Sequence, residues 1–210
     1  MARSLNRVGV FIQRINSMRK SFACTAIWAA MLTLVPASLL ADPSQPFFAQ
    51  MVLQGVTFQV ESPNDSSINP VTVRAETQEG DLGTIEVGAD GTITGVEVED
   101  LDADGYPEIY VYVTSAGSGS YGSLIAYASN RNRSLSEIYL PALEDDPEAS
   151  EGYMGHDEFA VGEGALVRRF PLYHEGDENA DPTGGTRQVQ YRLKAGEAGW
   201  RLDPYKVVNF

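Results

Sequence analysis

The residues best placed to do chemistry lie in a run of small residues, 114–123, between two segments typical of strands, 108–113 and 124–128. Glycine, serine and alanine add little to a hydrophobic core, so a run of this length indicates a role outside the fold. Its one large residue is Tyr121. Ser118 precedes Tyr121 by three positions, a spacing that a β-turn closes to less than about 7 Å between Cα atoms. The spacing predicts that both hydroxyls project from one small protrusion.

A second motif holds carboxylates at alternate positions around a glycine, and it consists of Asp100, Asp102, Asp104, Gly105 and Glu108. Such a loop can converge on a hard cation such as Ca²⁺, as in the calcium loops of β-propeller repeats. It is not an EF-hand, because strands flank it and its twelfth position is Val111. The alternative is a polar turn that leads into the strand before the run 114–123. If calcium binds, we expect a structural role beneath that run, and otherwise we expect no cofactor.

Catalytic patterns find little support in the sequence. The two histidines are His156 and His174, whereas a zinc site needs three or four ligands. His156 is better explained as a cap of the turn before a strand at 159–161. The serines of the run have no nearby histidine in sequence and no G-x-S-x-G elbow. We therefore expect a protein that is not an enzyme, with a serine hydrolase as the remaining alternative.

Acidic residues outnumber basic ones in this chain by 29 to 15, and the main basic groups are Arg168 with Arg169, and Arg187 after two glycines. An arginine near the run 114–123 can brace it or bind a partner carboxylate in bidentate fashion. A structural ion pair with one of the many acids is the alternative. Arg187 is our candidate for the partner contact.

Apolar residues alternate with polar ones along most of the chain after residue 41, and no segment has the periodicity of a long amphipathic helix. The clearest strands are 71–75, 85–87, 93–98, 109–113 and 189–193. Ala89-Asp90-Gly91 predicts a hairpin turn between the second and third of these strands. The acidic segments 144–151 and 175–182 read as solvated loops. This pattern predicts an all-β protein, a single-domain antiparallel β-sandwich over residues 42–210.

The run also carries a resemblance to a known family. Ser118-Gly119-Ser120-Tyr121 fits the SGxY loop of bacterial periplasmic lysozyme inhibitors, and the surrounding blocks resemble the inhibitors of invertebrate-type (i-type) lysozyme. The matching blocks are 106–111, 134–141, 155–161, 166–171 and 184–187. They cover the second half of the chain, whereas residues before Asp100 match only in general character. The resemblance implies a β-sandwich that inserts residues 118–121 into the lysozyme active cleft, and it leaves open a homodimer.

Residues 1–41 read as a signal peptide: Arg19 and Lys20 precede an apolar run, 22–35, and cleavage after Ala41 is expected. Met18 is an alternative start, and an N-terminal membrane anchor is an alternative reading of the segment. The only cysteine, Cys24, lies inside it, so the exported domain has no disulfide. These features predict a soluble protein of the periplasm of a Gram-negative bacterium.

Charge narrows the choice of partner. The net charge of the chain is −14, and removal of five basic residues with the signal peptide lowers it to −19. Such a domain repels nucleic acid and anionic membrane surfaces, and it favours a cationic partner. The sequence thus predicts a periplasmic inhibitor of lysozyme, most simply of the i-type. A calcium-dependent β-rich recognition module is the alternative.

Overall fold

The computed structural model describes residues 45–162, 164–196 and 199–210. The strands are β1 (Phe47–Leu53), β2 (Val56–Ser62), β3 (Ile68–Thr77), β4 (Gly80–Asp90), β5 (Thr92–Glu99), β6 (Glu108–Thr114), β7 (Gly122–Ser129), β8 (Leu135–Tyr139), β9 (Glu158–Gly162), β10 (Ala165–Pro171), β11 (Thr186–Ala195) and β12 (Trp200–Asn209). The predicted all-β fold is confirmed. The predicted signal peptide, 1–41, lies outside the described residues, and no helix within them could cross a bilayer.

Two sheets pack face to face. The first has the order β1-β2-β3-β4 and is antiparallel throughout, and the second has the order β5-β6-β7-β8-β12-β11-β10-β9. In the second sheet, β8 and β12 run parallel, which departs from the antiparallel sandwich that the sequence predicts. The reason is the long connection between β8 and β9, which carries the chain to the far edge of the sheet. The last four strands then return as a meander until β12 meets β8.

The predicted hairpin at Ala89-Asp90-Gly91 is wrong, because β4 and β5 belong to different sheets. The turn residues are used instead to carry the chain from one sheet to the other. Gly91 has a φ of +134°, and a Cβ there would lie 2.2 Å from the carbonyl oxygen of Thr114. Only a glycine can turn while its backbone lies this close to β6.

β6 is buried on both of its faces. Ile109, Val111 and Val113 pack against the four-stranded sheet, in a core that also contains apolar side chains of β2 and β3. Tyr110 and Tyr112 point to the opposite face, into a second core shared with β10, β11 and β12. Because six of its seven residues are buried, β6 is a firm base for the loops at its two ends.

The eight-stranded sheet curls until its two edges meet. The backbone N–H of Val161 in β9 donates to the Glu97 carboxylate of β5 over 2.8 Å, and the Tyr112 hydroxyl donates to the same carboxylate. The rings of Tyr112 and Phe159 stack, with centroids 5.8 Å apart. This closure brings β9, and the turn before it, alongside the loop that follows β6.

The acidic segment 144–151, expected to be a solvated loop, contains a 3-10 turn at Leu143–Asp145 and the short helix α1 (Pro147–Ser150). Asp146 caps α1 by accepting the backbone N–H groups of Glu148 and Ala149, and Pro147 occupies the first helical position. Ala149 is buried, so this segment covers one end of the second core.

Candidate functional site

The seven residues that join β6 to β7, 115–121, form a closed loop that we call the tip. Its two ends are tied together twice: Ser115 N–H donates to the Tyr121 carbonyl, and Tyr121 N–H donates to Ser115 Oγ, both over 2.9 Å. Within it, Ser120 N–H donates to the Gly117 carbonyl over 2.9 Å. The β-turn therefore covers residues 117–120, one position earlier than the spacing of Ser118 and Tyr121 predicts.

The side chains expected to meet a partner lie at the surface. Ser118 is exposed, and Tyr121 has 49% of its surface exposed. The buried part of Tyr121 contacts the ring of Tyr153 edge to face, with centroids 5.7 Å apart. Tyr153 in turn contacts Phe170 of the second core. The tip thus presents an aromatic ring that is supported from below and free on its outer side.

The glycines of the tip have different roles. Gly117 faces open space, so a side chain there meets nothing. A Cβ at Gly119 would lie 2.4 Å from the Tyr121 ring, and one at Gly155 would lie 2.0 Å from the Gly119 carbonyl oxygen. Gly119 and Gly155 therefore allow a close approach, while Gly117 keeps the protrusion narrow.

A buried ion pair lies directly beneath the tip. One oxygen of Asp157 accepts the Gly122 N–H over 2.7 Å and the Tyr153 hydroxyl over 2.6 Å, and the other accepts Arg168 Nε over 2.6 Å. Arg168 also donates to the Tyr153 hydroxyl over 2.8 Å. Among the described residues, no buried side-chain nitrogen or oxygen lacks a hydrogen-bond partner, as a buried charge requires. The first residue of β7 is thereby fixed to β10.

The electrostatics of this group follow from the same contacts. Burial opposes the positive charge of Arg168, but its hydrogen bond and ion pair with Asp157 outweigh burial and raise the pKa of Arg168 above its ordinary value. Burial, and then the hydrogen bond to Asp157, raises the pKa of Tyr153. Arg168 is therefore charged and Tyr153 is neutral throughout the physiological pH range.

Two further groups hold the tip from the side. His156 donates its backbone N–H to the Gly119 carbonyl over 2.8 Å, and Asn179 donates its side-chain amide to the Ser118 carbonyl over 2.7 Å. His156 has the left-handed φ of +59°, so it forms part of the turn before β9, in agreement with the structural explanation of this residue. Its ring contacts Asn179 rather than a cluster of metal ligands.

Arg187 does not lie at the surface as the expected partner contact requires. Its residue is 7% exposed, and Nη1 donates to the carbonyls of Glu148, Ala149 and Glu151 over 2.8–3.0 Å. Its Nε donates to the Asn209 side chain over 2.9 Å. These carbonyls close the C-terminal end of α1, where helical carbonyls lack partners and a cation is favourable. Arg187 supports the fold, and we revise the expectation that it binds a partner.

The carboxylates of Asp100, Asp102, Asp104 and Glu108 converge, because one oxygen of each lies within 4.8 Å of those of the others. The loop is folded by its own side chains: Asp100 accepts the backbone N–H groups of Asp104 and Gly105, each over 3.0 Å. It lies at the opposite end of β6 from the tip. Since seven residues of a strand span about 20 Å, the expectation of a support directly beneath the tip is wrong.

Glu108 is the buried member of this acidic loop, with 2% of its surface exposed. Burial raises the pKa of Glu108 to about 8, donation by the Leu101 N–H opposes that shift, and the three aspartates add to it. Burial and the Asp104 carboxylate also raise the pKa of Asp102. An oxygen-only donor set of this charge suits Ca²⁺, which would offset the mutual repulsion.

Three residues that organise the site were not singled out from the sequence: Tyr153, Asp157 and Asn179. Arg168 was named there as a brace of the run 114–123 or a member of a structural ion pair, and it forms that pair with Asp157. Tyr153 and Asn179 come from irregular segments without periodicity. Asp157 gave little signal, because it lies between His156 and Glu158 in an acidic chain.

Comparisons with known proteins add no assignment to this site. Neither the scan of protein-family models nor the search of curated proteins gave a match to this chain.

Proposed function

We propose that this protein is a lysozyme inhibitor, directed at i-type enzymes, that inserts the tip into the enzyme's active cleft. The observation that carries the proposal is an exposed tyrosine on a narrow loop whose base is fixed by a buried ion pair. A binding loop that is rigid before it meets its target loses little conformational freedom on binding. Aromatic anchors of this kind are frequent centres of binding energy.

The chemistry of the tip suits the cleft of a glycosidase. Retaining glycosidases hold two carboxyl groups about 5–5.5 Å apart, and other glycosidases hold them farther apart. The hydroxyls of Ser118 and Tyr121 can each donate a hydrogen bond to a carboxylate or to a neighbouring acceptor. A hydrogen bond to a charged group contributes about 1.5–3 kcal/mol. Gly119 and Ser120 connect these two residues along the loop.

In this role the protein acts by binding its target and not as an enzyme. Once the predicted signal peptide is removed, its net charge of −19 attracts a cationic enzyme, and this attraction raises the rate of association at low salt. Its proposed place is the periplasm of a Gram-negative cell, where a soluble inhibitor shields peptidoglycan from an incoming lysozyme.

The test is lysis of a peptidoglycan suspension by i-type, c-type and g-type lysozymes, with and without the purified protein. We expect selective protection against the i-type enzyme. Tyr121→Ala should weaken inhibition at least about tenfold and leave the fold unchanged. The matched control is Tyr205→Ala, which removes a tyrosine that is 42% exposed on β12 and lies outside the tip. Equal inhibition by Tyr121→Ala and the wild type would exclude insertion of the tip. If the wild type inhibits none of the three lysozymes, the protein is not an inhibitor of these enzymes.

A second candidate function is calcium binding by the acidic loop, favoured by the convergence of its four carboxylates and the burial of Glu108. We propose that Ca²⁺ stabilises the start of β6. Added calcium should then raise the melting temperature of the wild type, and EDTA should reverse that increase. In Asp104→Asn, calcium should raise the melting temperature by less. Asp90→Asn, at the exposed end of β4, is the matched control. A melting temperature that is insensitive to calcium would refute this candidate and leave the inhibitor proposal intact.

A further inference from the structure

Asn179 connects three separate segments of the chain. Its side-chain amide donates to the Ser118 carbonyl over 2.7 Å, and its Oδ1 lies 3.3 Å from the His156 ring Nε2. His156 itself donates a backbone N–H to the next carbonyl of the tip, that of Gly119. Two successive carbonyls of the tip are therefore held by two residues that also contact each other.

The backbone of Asn179 is hydrogen-bonded to a buried residue. Its backbone carbonyl accepts the hydroxyl of Tyr173 over 3.0 Å, and Tyr173 is 8% exposed. The surrounding loop is closed by Asp177, whose carboxylate accepts the backbone N–H groups of His174 and Thr183 over 2.7 and 2.9 Å. A side chain on a loop that is tied at three points can fix the orientation of its neighbour.

We propose that Asn179 is a positioning residue that holds the Ser118 side of the tip in the conformation that enters the lysozyme cleft. The inference rests on the proposed function and adds a second support to it. The buried ion pair fixes the Tyr121 side of the tip through Gly122, whereas Asn179 fixes the Ser118 side. Without the amide of Asn179, the Ser118 carbonyl loses its protein donor, and the backbone that carries the Ser118 hydroxyl is held less firmly.

The kinetics of binding separate this role from a direct contact or a general effect on folding. A tip that is less ordered still meets the cleft at nearly the same rate, but it leaves sooner, because related interfaces differ mostly in dissociation. Removal of one hydrogen bond of this kind should raise the dissociation rate about threefold to tenfold. The melting temperature should stay the same, since the contact lies at the surface.

The experiment measures association and dissociation of a purified i-type lysozyme with the full chain and its variants. Asn179→Ala removes the whole amide, and Asn179→Asp keeps the acceptor for His156 but replaces the donor to Ser118 with an oxygen. The matched control, Asn130→Ala, removes an amide of the β7–β8 turn at the other end of β7. In the free protein, the ¹⁵N heteronuclear NOE of Ser118 and Gly119 reports the order of the tip on the picosecond to nanosecond timescale.

We expect both Asn179 variants to dissociate faster and to lower the NOE of the tip, while Asn130→Ala does neither. The effect of Asn179→Ala should shrink in a Ser118→Ala background, since coupled residues are not additive. Unchanged dissociation of the Asn179 variants, in an assay where Tyr121→Ala dissociates faster, would overturn the inference. If the wild type binds no lysozyme, the proposed function fails, and the NOE of the tip in the free Asn179 variants decides whether Asn179 positions the tip. An NOE equal to that of the wild type overturns the positioning role, and a lower NOE supports it.

Discussion

Arg168 and Asp157 form an ion pair with a separation of 2.6 Å, and their side chains are 6% and 0% exposed. The pair is the point at which the tip is joined to the core, because the second oxygen of Asp157 accepts the N–H of Gly122. The guanidinium also lies near the rings of Tyr153, Phe159 and Phe170, 5.1–5.9 Å from their centroids. Loss of either charge would leave the other buried without an opposite charge.

We therefore expect Arg168→Ala to lower the free energy of unfolding by about 3–5 kcal/mol, the usual effect of breaking a buried pair. Urea unfolding measures this change. The control is Lys194→Ala, which breaks an ion pair of 3.4 Å in which the lysine side chain is 60% exposed, and it should cost less than about 1 kcal/mol. Similar losses in the two variants would show that the Arg168–Asp157 pair is not the anchor that its burial indicates.

Gly155 offers a way to move the tip without changing any of its side chains. Its φ is +96°, and a Cβ would lie 2.0 Å from the Gly119 carbonyl oxygen, so Gly155→Ala must displace one of the two backbones. We expect a loss of inhibition of about tenfold or more, with a cost in stability of about 1–3 kcal/mol. Inhibition assays measure the loss of inhibition, and urea unfolding measures the loss of stability. The matched control is Gly117→Ala, which meets open space and should retain the melting temperature.

A substitution at Arg187 tests whether this residue supports the fold or binds a partner. Arg187→Ala removes the donor to three backbone carbonyls near α1, and unpaired buried acceptors cost about 1–3 kcal/mol. We expect a lower free energy of unfolding together with wild-type inhibition by the folded fraction, measured below the melting temperature. Loss of inhibition without any loss of stability would restore the partner contact that the sequence predicts.

The strands were predictable because alternation of apolar and polar residues is a local signal. In β6, Ile109, Val111 and Val113 follow that signal, but the burial of Tyr110 and Tyr112 on the other face depends on a second core that no local pattern reveals. The turn at Gly91 was recognised, yet its sequence does not say whether the next strand stays in the same sheet. Pairing across sheets is decided by long-range packing.

The candidate site was likewise predictable only in part from the sequence. The positions of Ser118 and Tyr121 on an exposed loop follow from the composition of residues 114–123. The supports of that loop come from residues 32 or more positions farther along the chain, such as Tyr153, Asp157 and Asn179, and their meeting depends on the curl of the eight-stranded sheet. α1 was missed although Asp146 and Pro147 form a recognisable helix start, because its acidic composition suggested a loop.

The loop that carries Asn179 should depend on pH through Asp177. Hydrogen bonds from the backbone N–H groups of His174 and then Thr183 hold the pKa of Asp177 below its ordinary value. A lowered pKa means that the ionised carboxylate favours the folded loop. Its contribution is complete above the unfolded pKa, which is about 3.9, and it is lost as the pH falls through the lower folded value.

We expect the amide NMR signals of His174 and Thr183 to shift together as the pH falls below about 4, with a midpoint below that of a free aspartate. The Ser118 amide should follow them if Asn179 transmits the change to the tip. Asp177→Asn should abolish this titration, whereas Asp181→Asn, an exposed acid of the same loop, should leave it in place. A midpoint at or above that of a free aspartate would show that these hydrogen bonds do not close the loop.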